Sequence, residues 1–140
     1  MLPLLHAAAT WFMTGLIWFV QVVHYPLIRR VGSAGFVEYE AAHTRRTTLV
    51  VGPPMLVEAA CALWIAVAPP TGISPGAGWT GVLLVALIWL STALVQVPQH
   101  TRLSAGFDAG AHRLLVGGNW FRTVLWTLRA VLAAWMVLPR

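Results

Sequence analysis

The chain has no lysine and a single cysteine, Cys61. One cysteine excludes an intramolecular disulfide and any zinc site built mainly of thiolates. Acidic residues are nearly as scarce, with four Asp and Glu, and charged residues amount to 9% of the 140 positions. Soluble domains carry roughly 25% charged residues, so the chain falls outside that class. There is no phosphate-cradling glycine loop, no nucleophile elbow, and no cysteine–histidine pair close enough in sequence for thiol catalysis. Cys61 reads as small apolar packing.

Apolar residues take the place of charge: 59% of the chain is hydrophobic, with eight tryptophans and a mean hydropathy of +0.75. Four stretches reach the roughly 20 apolar residues that a bilayer crossing needs. They lie at about 4–24, 48–68, 79–99 and 119–138. The sequence therefore predicts an all-α, four-transmembrane-helix bundle forming one integral membrane domain, 1–140. Tyr25-Pro26 and Arg29-Arg30 are expected to close the first span, Pro69-Pro70 the second, and Pro98 with Gln99-His100 the third. Asn119, after Gly117-Gly118, is the expected N-cap of the fourth.

The formal charge of +5 and pI near 11.2 would point to nucleic acid in a soluble protein. Here the arginines flank apolar runs, so no nucleic-acid partner is expected and the lipid bilayer is. Arg29, Arg30, Arg45 and Arg46 lie between spans one and two, and Arg102 and Arg113 between three and four. The loop 69–78 carries no charge. The positive-inside rule then places the arginine-bearing segments in the cytoplasm and both termini outside, as in a multi-pass protein of a bacterial-type inner (plasma) membrane. The first span has no basic n-region and no clear cleavage site, and reads as a retained anchor.

Residues 33–46 combine good helix formers with periodic apolar positions, which predicts a short amphipathic helix on the cytoplasmic face. The segments around Gly35-Phe36 and Gly106-Phe107 share an order of Gly-Phe, an acidic residue, Ala-His and Arg. Upstream, Val20-Gln21-Val22 matches Val95-Gln96-Val97. Two parallel helical-hairpin repeats, related by an axis along the membrane normal, would account for both matches.

Polar side chains in a span are expected to face the bundle interior. Span one presents Thr10, Thr14, Gln21 and His24 on one face. Span four presents Asn119, Arg122, Trp126 and Arg129, span three Thr92, Gln96 and His100, and span two Thr47, Pro54, Glu58 and Cys61. At 1.5 Å per residue, Glu58 and Arg129 both sit roughly 15 Å into their spans, which makes them natural partners. That pair reads either as a buried staple or as a group that controls an ionisation.

His24, His43, His100 and His112 collect at the cytoplasmic boundary. Glu40 and His43 form a Glu-x-x-His pair whose spacing can direct both toward one metal, with His24 and His100 joining from spans one and three. The metal-site reading thus names His24, Glu40, His43 and His100, for a transition metal or, between His24 and His100, haem b. The second Glu-x-x-His of a diiron bundle and the His boxes of membrane desaturases are absent. Arg45, Arg46, Arg102, Arg113 and Arg122 are expected either to ring a cavity or to set topology, and Arg122 fits the topology reading poorly.

The segment Asn119-Trp120-Phe121-Arg122-Thr123 and the preceding Pro98-Gln99-His100-Thr101-Arg102-Leu103 resemble those of small bacterial four-helix membrane proteins. More loosely, the second half is similar to the anthrone-oxygenase-like membrane domain, with His100 where that pattern often has Asn. The resemblance implies oxidation of a lipophilic aromatic or quinone-like molecule at the membrane surface. The expected catalytic residues are His43, His100, Glu58 and Arg129, and the expected substrate contacts Tyr39, Gln96, Asn119, Arg122 and Trp126, with tryptophans lining an apolar pocket. The alternative is a carrier or accessory subunit without catalysis. A homodimer would enlarge the enclosed space.

Overall fold

The computed structural model describes residues 1–138, and every regular element among them is helical. The order is α1 (Leu2–Phe19), a π segment (Val20–His24), α2 (Tyr25–Ile28), a 3-10 turn (Ser33–Gly35) and α3 (Phe36–Val67). Then follow α4 (Pro75–Ser91), a second π segment (Thr92–Gln96), α5 (Val97–Leu103) and α6 (Ala109–Val137). α1 packs against α3 and α6, and α4 packs against the same two. The four long helices therefore form a ring in which α1 lies diagonal to α4, and α3 diagonal to α6.

Three continuous helical stretches, Leu2–Ile28, Ser33–Val67 and Pro75–Leu103, are long and apolar enough to cross a membrane. α6 has 29 residues but is too polar by the same standard, because Asn119, Arg122 and Arg129 lie along its buried face. Seven of the eight tryptophans, Trp126 being the other, are exposed on the outside of the ring together with many leucines and valines. A soluble monomer rarely exposes apolar surface so extensively, whereas lipid is the solvent that such a surface fits.

The helices run past their expected ends. Pro26 and Pro98 do not stop the first and third stretches, because each follows a π segment. A proline ring inside an α-helix collides with the carbonyl four residues earlier and leaves it without a donor; a widened π turn relieves the crowding. The predicted amphipathic helix at 33–46 is no separate element. It is the first part of α3, whose 32 residues include Pro53 and Pro54 without a break. At 1.5 Å per residue α3 is about 48 Å long, well beyond a roughly 30 Å hydrocarbon core, so one end protrudes.

Asn119 is likewise not an N-cap. α6 begins ten residues earlier, where the Asp108 side chain accepts a hydrogen bond from the Ala111 amide at 2.6 Å. Gly117-Gly118 then lie within the helix. A Cβ on Gly118 would meet Val95 Cγ1 at 2.7 Å and Gln96 Nε2 at 3.2 Å, so this glycine lets the second π segment approach α6. Gly78 does the same between α4 and α3, where a Cβ would lie 2.7 Å from Ala66 Cα.

The interior alternates apolar and polar levels. Met13, Ile17, Met55, Ile88, Leu125 and Trp126 form the middle apolar cluster. Tyr25, Ile28, Phe36, Leu103, Ala111 and Leu115 close one end, and Ile65, Ile73 and Met136 the other. Between the middle and the Ile65 end lie Glu58 and Arg129; between the middle and the Tyr25 end lie Gln21, Asn119 and Arg122.

Candidate functional site

At the first polar level, the side chains of α3 and α6 meet across the ring. Arg129 donates through Nε to Glu58 Oε1 at 2.7 Å, and Trp126 Nε1 donates to Glu58 Oε2 at 3.1 Å. Arg129 also donates to the Gly81 carbonyl on α4 and, at 3.0 Å, to His6 Nε2 on α1. One guanidinium thus ties all four long helices, and both carboxylate oxygens of Glu58 are engaged. The group is fully buried, which makes geometry decisive, since a charge inside a membrane protein is tolerated only when paired this completely.

The second polar level is built differently. Gln21 accepts from Asn119 Nδ2 at 2.9 Å and donates to the Val116 carbonyl at 3.3 Å, while Arg122 donates to Asn119 Oδ1 at 3.0 Å. Beyond this relay, His100 Nδ1 lies 2.5 Å from Glu40 Oε1, and the Tyr25 hydroxyl lies 3.2 Å from His100 Nε2. With Nδ1 donating to the carboxylate, a neutral His100 leaves Nε2 to accept from the Tyr25 hydroxyl. Glu40 is wholly buried, its second oxygen has no partner, and the His100 side chain is 17% exposed. His112 Nε2 donates to the Tyr25 carbonyl at 2.8 Å and fixes that stretch against α6.

These groups border a cavity of about 350 Å³. Met13, Leu16, Ile17 and Val51 form its apolar wall. Tyr25, His43, Gln96, His100 and Arg122 form its polar end, with hydroxyls of Thr44, Thr47 and Thr48 along α3. The size lies within the range of small-molecule pockets, and the division into an apolar body and a few convergent polar groups is their usual composition.

The residues expected to act together divide between the two levels. His43, His100, Gln96 and Arg122 border the cavity; Asn119 stands behind Arg122 as its hydrogen-bond partner. Tyr39 is outside the cavity, its ring parallel to His43 within 8° at 6.2 Å. Trp126 belongs to the Glu58 level, and no tryptophan lines the cavity, contrary to expectation: the indoles face outward, where amphipathic rings favour a membrane surface. Arg45, Arg46, Arg102 and Arg113 are exposed, so no ring of arginines surrounds the cavity.

The four residues of the metal-site reading are neighbours without a common focus. His24 Nε2 and His43 Nδ1 are 3.0 Å apart, Thr47 shares that Nδ1 at 3.1 Å, and His100 is engaged by Glu40 and Tyr25. Among the described residues, no group of three or more His, Cys, Asp or Glu side chains is placed to hold a metal ion. The His43 ring stands 4.5 Å from that of His24 and 5.4 Å from that of His100, where a porphyrin bridging the two would have to lie.

Two participants were not expected from sequence. His6 continues the stripe of Thr10 and Thr14 back by one four-residue step, a signal that was available. Tyr25 was read only as part of a helix stop. The chain matches no known protein family, no curated protein and no solved structure.

Proposed function

We propose that the protein is a four-span integral membrane protein that binds one lipophilic molecule in the 350 Å³ cavity and handles protons at its oxygen-bearing head. The carrying observation is the composition of that cavity: an apolar wall, and at its end His100 held by the buried Glu40 and facing the Tyr25 hydroxyl. A histidine oriented by a carboxylate, within reach of a phenolic hydroxyl, is the arrangement that general acid–base chemistry uses. An aromatic or quinone-like compound fits both the wall and the head, and the likeness of residues 98–103 and 119–123 to the anthrone-oxygenase-like domain favours the same class. His100, Glu40 and Tyr25 are then the proton-handling groups of an oxidoreductase of the quinone type, with His43 beside the head, while Glu58 and Arg129 hold the bundle together.

In this reading α6 is the fourth span. Its arginines are accommodated because the ring buries them, and the exposed Arg29, Arg30, Arg45, Arg46, Arg102 and Arg113 mark the cytoplasmic side, with both termini outside. Internal duplication belongs to the same proposal. Gly35-Phe36 maps onto Gly106-Phe107 by a shift of 71, the separation of Glu58 and Arg129, which touch. The two π segments and the prolines that follow them, Pro26 and Pro98, correspond by a shift of 72. Equivalent residues touch where a two-fold axis passes between them, so the Glu58–Arg129 contact supports two repeats around a central axis.

Equilibrium binding of a short-tailed benzoquinone and its quinol to the purified protein in detergent tests the reading. Saturable binding of one molecule per chain is expected, and Val51→Trp, which fills the apolar wall, is expected to remove it. Non-saturable partitioning, unchanged by Val51→Trp, would overturn it. The paired halves favour one second reading, a small carrier; vesicles that take up the bound compound against its gradient would select that reading over an enzyme.

A further inference from the structure

The polar end of the cavity has more hydrogen-bonding capacity than the chain itself uses. Gln96 is 2% exposed, and neither its amide nitrogen nor its amide oxygen has a partner among the described residues. Arg122 is 8% exposed, and its Nε is also without a partner. Both side chains line the cavity. Buried polar groups in native structures are nearly always matched, so unmatched groups on two residues that line one cavity call for a partner.

Charge narrows what that party is. Among the described residues Glu58 pairs with Arg129 and Glu40 is hydrogen-bonded to His100, so neither carboxylate is held by Arg122. Among the described residues Arg122 meets neutral groups: Asn119 Oδ1, the Tyr25 hydroxyl and the face of the Trp126 ring, whose centroid is 5.1 Å away. A buried guanidinium without a counter-charge is costly in an apolar bundle. One guanidinium and one neutral amide suit a single negative charge; a phosphate would call for further cations, and the remaining arginines near this end are exposed.

We infer that Gln96 and Arg122 are the head subsite of the cavity and receive a monoanionic oxygen group, a carboxylate or the enolate of a hydroxyquinone, with its apolar body along Met13, Ile17 and Val51. Gln96 donates its amide hydrogens to the head, Arg122 supplies charge and direction, and the Gln21–Asn119 relay holds Arg122 in place. This inference rests on the cavity-binding reading above and adds the sign of the ligand's charge.

The test compares four probes on the purified protein in neutral detergent, at a pH where both acids are ionised. They are dodecanoate, dodecanol, an alkyl hydroxynaphthoquinone and its methyl ether. Each anion is expected to bind about tenfold or more tightly than its neutral partner. Arg122→Gln is expected to abolish that preference, weakening the anions far more than their neutral partners, and Gln96→Leu to weaken it. Preference for dodecanoate over the enolate assigns a chain carboxylate; the reverse assigns a ring. Equal binding of anion and neutral partner would overturn the inference and leave the cavity reading standing, whereas failure of all four to bind saturably removes both. Should Arg122→Gln not fold, the wild-type comparison and Gln96→Leu decide the matter.

Discussion

The protein buries two glutamates on one helix, and they are treated in opposite ways. Glu58 has both oxygens engaged by permanent donors, Arg129 and Trp126, in a setting closed to solvent. Glu40 has one oxygen on His100, whose side chain lines the cavity, and the other without a partner. A carboxylate that is saturated by fixed donors fastens helices; one left half satisfied keeps an acceptor free. The difference teaches that depth alone does not mark a group with bonding capacity to spare, since the deeper residue is the better pinned.

Breaking the deep pair gives the largest expected effect. Glu58→Leu and Arg129→Met should each lower stability by about 3–5 kcal/mol, measured by thermal unfolding in detergent, because either leaves an uncompensated buried charge. The double variant should recover much of that loss. Exchanging the two, Glu58→Arg with Arg129→Glu, should also unfold later than either single exchange if the halves are related by a central axis; equal damage would count against the repeat.

Next come the helix contacts that frame the two levels. Gly78→Ala and Gly118→Val should each cost about 1–3 kcal/mol through overpacking, by the same unfolding measurement. Gly52→Ala, with nothing within 4 Å of its added Cβ, is the matched control and should be neutral or slightly stabilising.

Much of this arrangement was legible from residue spacing. Helical periodicity placed Thr10, Thr14 and Gln21 inside, and equal depth brought Glu58 to Arg129, because both follow from rise per residue alone. Helix ends were not legible. Pro26 and Pro98 are ordinary stop signals, and each is carried through behind a π turn; nothing in a single sequence announces a widened turn. The start of α6 was missed for a related reason, since Asp108 and Asn119 are both acceptable caps and choosing between them requires the packing of Gly118 on Val95. The histidine cluster was read as a metal centre because residue type and proximity suffice for that expectation; which nitrogen faces which partner depends on rotamers that spacing does not encode.

Glu40→Gln sharpens the contrast from the other side. It should cost only about 1 kcal/mol, the scale of one hydrogen bond, and leave the protein folded. The uptake or release of protons when the quinol probe binds, followed with a pH indicator, should nevertheless be lost. Undiminished proton exchange would move the role away from Glu40. Smallest of all, Trp64→Leu on the outer surface should shift stability by no more than about 0.5 kcal/mol, and a larger loss would mean that this face is covered by protein instead of lipid.

The turn at Thr92–Gln96 also sets angular phase. A wide turn acts as one surplus residue, and each residue advances a helix by about 100°. Everything beyond it, His100 included, is therefore rotated by that amount relative to an uninterrupted helix. Remove one residue there and the helix would heal, yet the imidazole that meets Glu40 would swing toward the hydrocarbon. A single inserted codon is thus enough to re-aim the far end of a helix without ending it, and the turn at Val20–His24 re-aims the first stretch in the same way on the opposite side of the ring.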